Sequence, residues 1–233
     1  MDESQNTDTA EAEQADFPSL PSRLFNVFLS PGRVMEAVAK HPVWAGALLV
    51  GALLVALQTA LIPLELILAT QRQAMLEAGR DMPEMPETLM NVMRFVTPIL
   101  ATIGVSLFTF ISAGLYWLIF AFVLGDEGRY RQYLSVGAHA LFVPAVIGLT
   151  LVPLKVMTED PQATLNLGLF LFFVSDGYWA DAFRLMDLTG LWSALIVAQG
   201  AHSIDPRRSF GSAAAIVIGI TLAFALIFTI FQP

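Results

Sequence analysis

The sequence predicts an all-α fold, a polytopic membrane helix bundle of about five transmembrane helices preceded by short amphipathic interfacial helices. Three observations support this class. First, the 233 residues are 56% hydrophobic and only 14% charged, whereas soluble domains carry about a quarter charged residues. Second, several uncharged runs reach the length of about 20 residues that crosses a bilayer core. Third, the mean hydropathy of the whole chain is +0.66.

Residues 1–18 are predicted to be a disordered acidic tail. This segment has no Lys or Arg and few large apolar side chains, so it cannot bury enough surface to fold. Its acidic residues are Asp2, Glu3, Asp8, Glu11, Glu13 and Asp16. The start also lacks the basic and then apolar pattern of a cleavable signal peptide. We therefore expect the first membrane span to serve as the targeting signal.

Residues 19–41 are predicted to form two amphipathic helices that lie at the membrane interface. An apolar cluster at 24–29 is followed by Ser30-Pro31, a favourable N-cap and first-turn pair. Neither helix is long enough to span a bilayer. Basic residues accompany both, which is typical of helices on a membrane surface. These residues are Arg23, Arg33 and Lys40.

Residues 42–233 are predicted to form a five-span membrane domain, and its first span is Val43–Leu64. This run carries no charge, and its small residues Gly46 and Gly51 suit close contact with another helix. Pro63 should bend the end of the span, so that Glu65 follows at the far interface.

The second span, Phe95–Gly125, follows a polar connection at 71–94. At about 1.5 Å per residue, this uncharged run is longer than a bilayer core of about 30 Å. We expect it to tilt, to kink near Pro98 or Gly104, or to project into water.

Three further apolar segments complete the domain. The third span, Tyr133–Leu154, is interrupted by prolines, and residues 165–187 are predicted to be a helix at the interface or packed on the bundle. The fourth span, Leu185–Ala201, is shortened by Asp187, whereas the fifth, Phe210–Phe231, is uninterrupted. The fifth span carries a predicted helix-packing face with four-residue spacing. Its members are Gly211, Ala215 and Gly219.

The distribution of basic residues predicts a cytoplasmic N-terminus and a C-terminus outside. With five spans, the cytoplasmic segments hold Arg23, Arg33, Lys40, Arg129, Arg131, Arg207 and Arg208. The outer segments hold Arg72, Arg80, Arg94, Lys155 and Arg184. Short cytoplasmic connections with paired Arg residues carry the greatest weight in the positive-inside rule.

Composition and motifs predict no catalytic site, no cofactor and no metal. The chain has no Cys and only three His residues, which disfavours thiolate, imidazole and nucleophilic sites. A net charge of −8 without a basic stripe disfavours nucleic-acid binding. Three acidic residues near 180 are spaced around a helix rather than on one face, so we interpret them as solvated interfacial acids. They are Asp176, Asp181 and Asp187.

The segments resemble the Yip domain family, the multi-pass membrane proteins named for interaction with Ypt/Rab GTPases, and specifically its bacterial branch. The resemblance rests on the lead-in Phe28–Pro31 through Lys40–Trp44, on Gly-Asp-Glu-Gly-Arg-Tyr-Arg-Gln-Tyr at 125–133, and on Met-Asp-Leu-Thr-Gly-Leu-Trp at 186–192. It implies a five-span domain with a cytoplasmic N-terminus and no shared catalytic residues. The GTPase partners of the eukaryotic branch do not transfer to a bacterial chain.

Two functions are open from the sequence. The first is a non-enzymatic scaffold or accessory subunit that binds the lipid bilayer and other membrane proteins, or associates with itself, through its small-residue faces. The alternative is a transporter or permease component that uses polar groups near broken helices, with Glu65 and His139 as the intramembrane candidates.

Overall fold

A computed structural model describes residues 17–81, 83, 85–171, 173–174 and 177–230. Across these residues the regular structure is helical, and the β-type pairing is an isolated bridge between Asn166 and Asp187. The predicted all-α class is confirmed. Almost all of the predicted acidic tail at 1–18 lies outside the described residues.

Eleven α-helices follow one another in the described part of the chain. They are α1 Leu20–Leu29, α2 Pro31–Lys40, α3 Ala45–Leu61, α4 Leu64–Glu77, α5 Glu87–Trp117, α6 Tyr130–Ala140, α7 Phe142–Thr150, α8 Val152–Met157, α9 Tyr178–Leu185, α10 Leu188–Ile204 and α11 Phe210–Thr229. A π-helix at Leu118–Val123 continues α5, and a 3₁₀ turn at Leu167–Leu169 precedes α9.

Three helical stretches of the described chain are long and apolar enough to cross a membrane. They are α5 with its π-helical extension, α6 with α7, and α11. A fourth span results if α3 and α4, which meet at an angle of 83°, count as one broken crossing. Helix α10, which matches the predicted fourth span, has 17 residues and is largely buried in the bundle. A count of five crossings therefore stays a prediction.

Proline produces the break between α3 and α4. Pro63 lacks the backbone N–H that would continue α3, and it holds Ile62 in an extended conformation with φ −83° and ψ 127°. The predicted polar connection at 71–94 is wrong in its extent. Helix α4 continues to Glu77 and α5 already begins at Glu87, eight residues before the uncharged run.

Residues 165–187 do not form the single helix that the sequence predicted. The described part of this segment contains only the 3₁₀ turn and the short helix α9. Helix α9 packs on the bundle, because the hydroxyl of Tyr178 donates to the carbonyl of Leu226 at 3.0 Å. Gly177 initiates α9 with φ +85°, a conformation that favours glycine.

Helices α6 and α10 cross at the centre of the bundle. Val136 of α6 is fully buried, and Gly200 of α10 faces it at such short range that a Cβ there would lie 2.5 Å from Val136 Cγ2. Only glycine permits this approach of the two backbones. Gly200 and Val136 thus bring α6 and α10 into close contact in the buried part of the bundle.

The lead-in helices α1 and α2 pack into this core. Val34, Met35 and Val38 of α2 are buried against α6 and α10. On α1, the ring of Phe28 meets the rings of Phe142 and Trp192, each at a centroid distance of 5.9 Å. The interfacial position of these helices stays a prediction.

The helices define two ends of the bundle. At the near end, Gln132 Nε2 donates to the carbonyl of Ala39 at 2.8 Å, and the amide of Glu127 donates to Asp205 Oδ2 at 2.9 Å. The near end thus gathers the segments 39–44, 124–132 and 204–210. The far end holds the α3–α4 bend, the start of α5, residues 158–171 and 177–187, and the end of α11.

Candidate functional site

Two of the predicted packing glycines face the inside of the bundle. A Cβ at Gly46 would lie 2.9 Å from Leu20 Cδ2, and a Cβ at Gly51 would lie 3.1 Å from Leu141 Cδ2. Gly46 therefore accommodates α1, and Gly51 accommodates the junction of α6 and α7. Their surfaces are occupied by the chain itself.

The small residues of α11 face outward instead. Gly211, Ala215 and Gly219 are exposed, and no heavy atom of the described residues lies within 4 Å of a Cβ built at either glycine. Ala223 extends the row by one more turn and is also exposed. We call these four residues the α11 face. It is a shallow strip on the outside of an apolar helix.

His139 lies fully buried in α6 and connects this helix to α1. The guanidinium Nε of Arg23 donates to His139 Nε2 at 3.2 Å. Because Arg can only donate, Nε2 accepts, and Nδ1 carries the proton that is donated to the carbonyl of Ser135 at 2.8 Å. Arg23 also donates to the carbonyl of Pro18 at 2.6 Å. Nε2 of His139 therefore holds α1 through Arg23, whereas Nδ1 is bonded within α6.

Glu65 lies at the far end, immediately after the α3–α4 bend. Its Oε1 accepts from Arg94 Nη2 of α5 at 2.5 Å, and about half of each side chain is exposed. The pair lines a cavity of about 230 Å³ between the bend and α5. Glu65 and His139 thus bind different partners in different parts of the bundle. The structure does not assemble them into a single proton-relay site.

A cluster of ion pairs at the near end was not predicted from the sequence. Arg208, before α11, donates to both carboxylate oxygens of Asp126, through Nη2 at 2.6 Å and through Nε. Asp205 accepts from Arg207 and from the amide of Glu127. We call Asp126, Asp205, Arg207 and Arg208 the near-end clamp. It joins the α5–α6 turn to the α10–α11 turn.

The charges of the near-end clamp stabilise one another. The Arg207 guanidinium, which hydrogen-bonds to Asp205, holds the pKa of that carboxyl well below its usual range. The hydrogen bond with Asp126 raises the pKa of Arg208. Both shifts favour the charged forms of Asp205 and Arg208. The sequence signals were the Arg207-Arg208 pair and the turn at Asp126, but their pairing spans 82 residues.

The acidic residues near 180 have structural partners. Asp176 lies outside the described residues. Asp181 pairs with Arg184 at 3.3 Å, and Asp187 caps α10 by accepting from the amide of Thr189 at 3.0 Å. Within the described ranges, no group of three or more acidic or His side chains is arranged to hold a metal ion.

Comparison with known proteins identifies the chain's relatives. The family model described as Yip1 domain matches residues 25–231. Membrane protein YknW of Bacillus subtilis (strain 168) is 27% identical over 212 residues, which cover 87% of this chain and 88% of the relative. The chain matches no solved structure. The resemblance that the sequence motifs indicated is thereby confirmed.

Proposed function

Because the chain belongs to the Yip1 domain family of membrane proteins, we propose that it is a non-enzymatic scaffold or accessory subunit. It binds other membrane proteins, or a second copy of itself, inside the lipid bilayer. The observation that carries this proposal is the open α11 face, a strip of four exposed small residues whose two glycines have open space beside them.

Helix association in lipid depends on close packing, because the hydrophobic effect gives no advantage to helix contact over lipid contact. Small residues at four-residue spacing let two helix backbones approach and gain dispersion energy over their whole length. Inside this bundle, Gly51 lets the Leu141 side chain pack closely against α3. The α11 face presents the same kind of surface outward, where a helix of a partner can lie.

The non-enzymatic part of the proposal is supported by the way the buried polar groups are used. His139 and Arg23 fix α1, while Asp126 and Arg208 fix two turns. Each of these groups is engaged by protein atoms in a structural contact. None of the four is left as a ready acid, base or nucleophile for a substrate.

Filling the α11 face should release the partner. In the variant with Gly211→Leu and Gly219→Leu, we expect the amount of any co-purifying protein to fall at least about tenfold. This decrease corresponds to about 1.4 kcal/mol of binding free energy. The two leucines prevent the backbones from approaching. The measurement is quantitative mass spectrometry of a pull-down in mild detergent, with crosslinking to detect self-association.

Gly104 supplies the matched control, since it also lies on a membrane-spanning helix and has open space around it. Gly104→Leu should leave the co-purifying proteins unchanged. If the α11 variant and the Gly104 variant retain the same proteins in equal amounts, the α11 face is not the binding surface.

We further propose that the near end faces the cytoplasm of a bacterium and that the C-terminus lies outside its inner membrane. The near end carries Lys40 and Arg131 next to the near-end clamp, whereas Arg80 belongs to the far-end connection between α4 and α5. This grouping of basic residues is the one that the positive-inside rule favours for a cytoplasmic end.

Cysteine labelling can measure this orientation directly, because the chain has no cysteine of its own. We expect Arg80→Cys to react with a membrane-impermeant maleimide in intact spheroplasts. Arg131→Cys should react only after permeabilisation. The reverse pattern would show that the near end faces outward.

A further inference from the structure

The α3–α4 bend and α5 enclose a small cavity that differs from the rest of the bundle surface. We call it the far-end wedge. Its volume is about 230 Å³, and its lining includes Thr59, Pro63, Glu65, Arg94, Thr97 and Pro98. Helix α4 leaves α3 at 83°, and the cavity lies between this bend and α5.

The wedge offers one cation, one anion and one unused hydroxyl. Arg94 Nη2 and Glu65 Oε1 touch at 2.5 Å, yet about half of each side chain is exposed. The hydroxyl of Thr97 is buried and has no hydrogen-bond partner among the described residues. Buried hydroxyls are usually satisfied, so an orphan beside an ion pair indicates a place for a polar ligand.

The pattern of charged and apolar residues around the wedge is the one expected at the depth of lipid headgroups. Exposed apolar side chains approach it along both helices, with Leu57 and Leu61 on α3 and Phe95 and Ile99 on α5. Charged residues begin with Glu65 and Arg94 themselves. The wedge therefore lies at the boundary between the apolar belt of the bundle and its polar far end, where headgroups meet acyl chains.

We propose that the far-end wedge binds the phosphoethanolamine headgroup of a membrane phospholipid. Arg94 donates to the phosphate, and Glu65 accepts from the ammonium group. The acyl chains then lie along the exposed apolar residues of α3 and α5. An exposed ion pair contributes little net stability, so Glu65 and Arg94 separate easily to admit the headgroup.

Size and charge both favour this headgroup. The cavity has room for about eight waters at roughly 30 Å³ each, and phosphoethanolamine has a similar number of non-hydrogen atoms. An anionic glycerol headgroup supplies no cation to Glu65 and is repelled by it. A choline headgroup carries a cation without N–H groups, so it cannot donate a hydrogen bond to Glu65.

The test compares lipids on the purified full-length protein in detergent. Native mass spectrometry measures how much phosphatidylethanolamine, phosphatidylcholine and phosphatidylglycerol the protein retains from an equimolar mixture. We expect phosphatidylethanolamine to be retained at least about tenfold more than either competitor, a difference that corresponds to about 1.4 kcal/mol. Equal retention of the three lipids by the unmodified protein overturns the proposal.

Two substitutions separate the roles of the charged residues. Glu65→Gln should remove the preference for phosphatidylethanolamine over phosphatidylglycerol, because the repulsion is gone. Arg94→Gln should reduce retention of all three lipids. The matched control is Glu77→Gln near the end of α4, whose carboxylate accepts from Gln73 away from the wedge, and it should retain the native preference.

Two further results would overturn the proposal. The first is an unchanged lipid preference in Glu65→Gln. The second is equal thermal stabilisation by soluble phosphoethanolamine and by the lipid at the same concentration, which would show that no membrane lipid is required. Thermal unfolding without added lipid establishes that each variant is folded, and the Glu65→Gln comparison stands even if Arg94→Gln does not fold.

Discussion

Asp126→Ala is expected to lower the free energy of unfolding by about 3 kcal/mol, because it leaves the Arg208 guanidinium mostly buried without its anion. Only 8% of the Asp126 side chain and 14% of the Arg208 side chain are exposed. Arg208 also lies over the ring of Phe120 at 5.5 Å, which limits its escape to water. The measurement is thermal or denaturant unfolding in detergent, monitored by circular dichroism.

A double substitution distinguishes the pair from its environment. Replacing Asp126 by Leu and Arg208 by Met in one chain removes both charges, and should recover most of the lost stability, since an apolar pair of similar volume can replace a buried ion pair. A loss below about 0.5 kcal/mol for Asp126→Ala, a value typical of surface substitutions, would contradict a structural role of the near-end clamp.

Gly200→Ala is expected to have the second large effect. The new Cβ would lie 2.5 Å from Val136 Cγ2 and 3.0 Å from Val136 Cβ, so α6 and α10 must separate or Val136 must leave its rotamer. Overpacking of this kind costs about 1–3 kcal/mol. The same unfolding measurement applies, with Gly104→Ala as the control because open space surrounds Gly104.

Val136→Ala provides the second arm of this experiment. It removes the two methyl groups that collide with the new Cβ, so the double variant should lose less stability than the sum of the single variants. A coupling energy of at least about 0.5 kcal/mol is typical for residues in direct contact. Strict additivity of the two substitutions would show that the two helices do not meet at Gly200.

The membrane-spanning helices were largely predictable, because lipid imposes a simple rule on the sequence. Uncharged runs must be helical in order to pair their own backbone groups. The uncharged run that was predicted to begin at Phe210 is α11, which begins there, with the Ser209 hydroxyl accepting from the amide of Ser212. The bend at Pro63 was also predicted, because proline has no backbone N–H and cannot donate the hydrogen bond that continues a helix.

Outside the lipid this rule no longer applies. Helix α4 and the first turns of α5 mix polar and apolar residues without a strict period, so the sequence indicated only a polar connection at 71–94 and not the two helices that enter it. The near-end clamp was missed for a different reason. Arg208 and Asp126 are 82 positions apart, and no local sequence pattern predicts a contact over that separation.

The candidate site illustrates a similar limit. Gly51 and Gly219 both belong to small-residue stripes, and the sequence predicts a packing face for both. The structure gives Gly51 an internal neighbour in Leu141 and leaves Gly219 open. Which stripe is free depends on the arrangement of all the helices, and that arrangement is a property of the whole fold rather than of any one segment.

The near-end clamp also makes two helical hairpins into one mechanical unit. The turn between α5 and α6 and the turn between α10 and α11 share a single set of ion pairs, so neither can shift without displacing the other. A force applied to the α11 face by a bound helix would be transmitted through Arg208 to Asp126. Binding of a partner helix to the α11 face would thereby affect the end of α5, the longest helix in the described part of the chain.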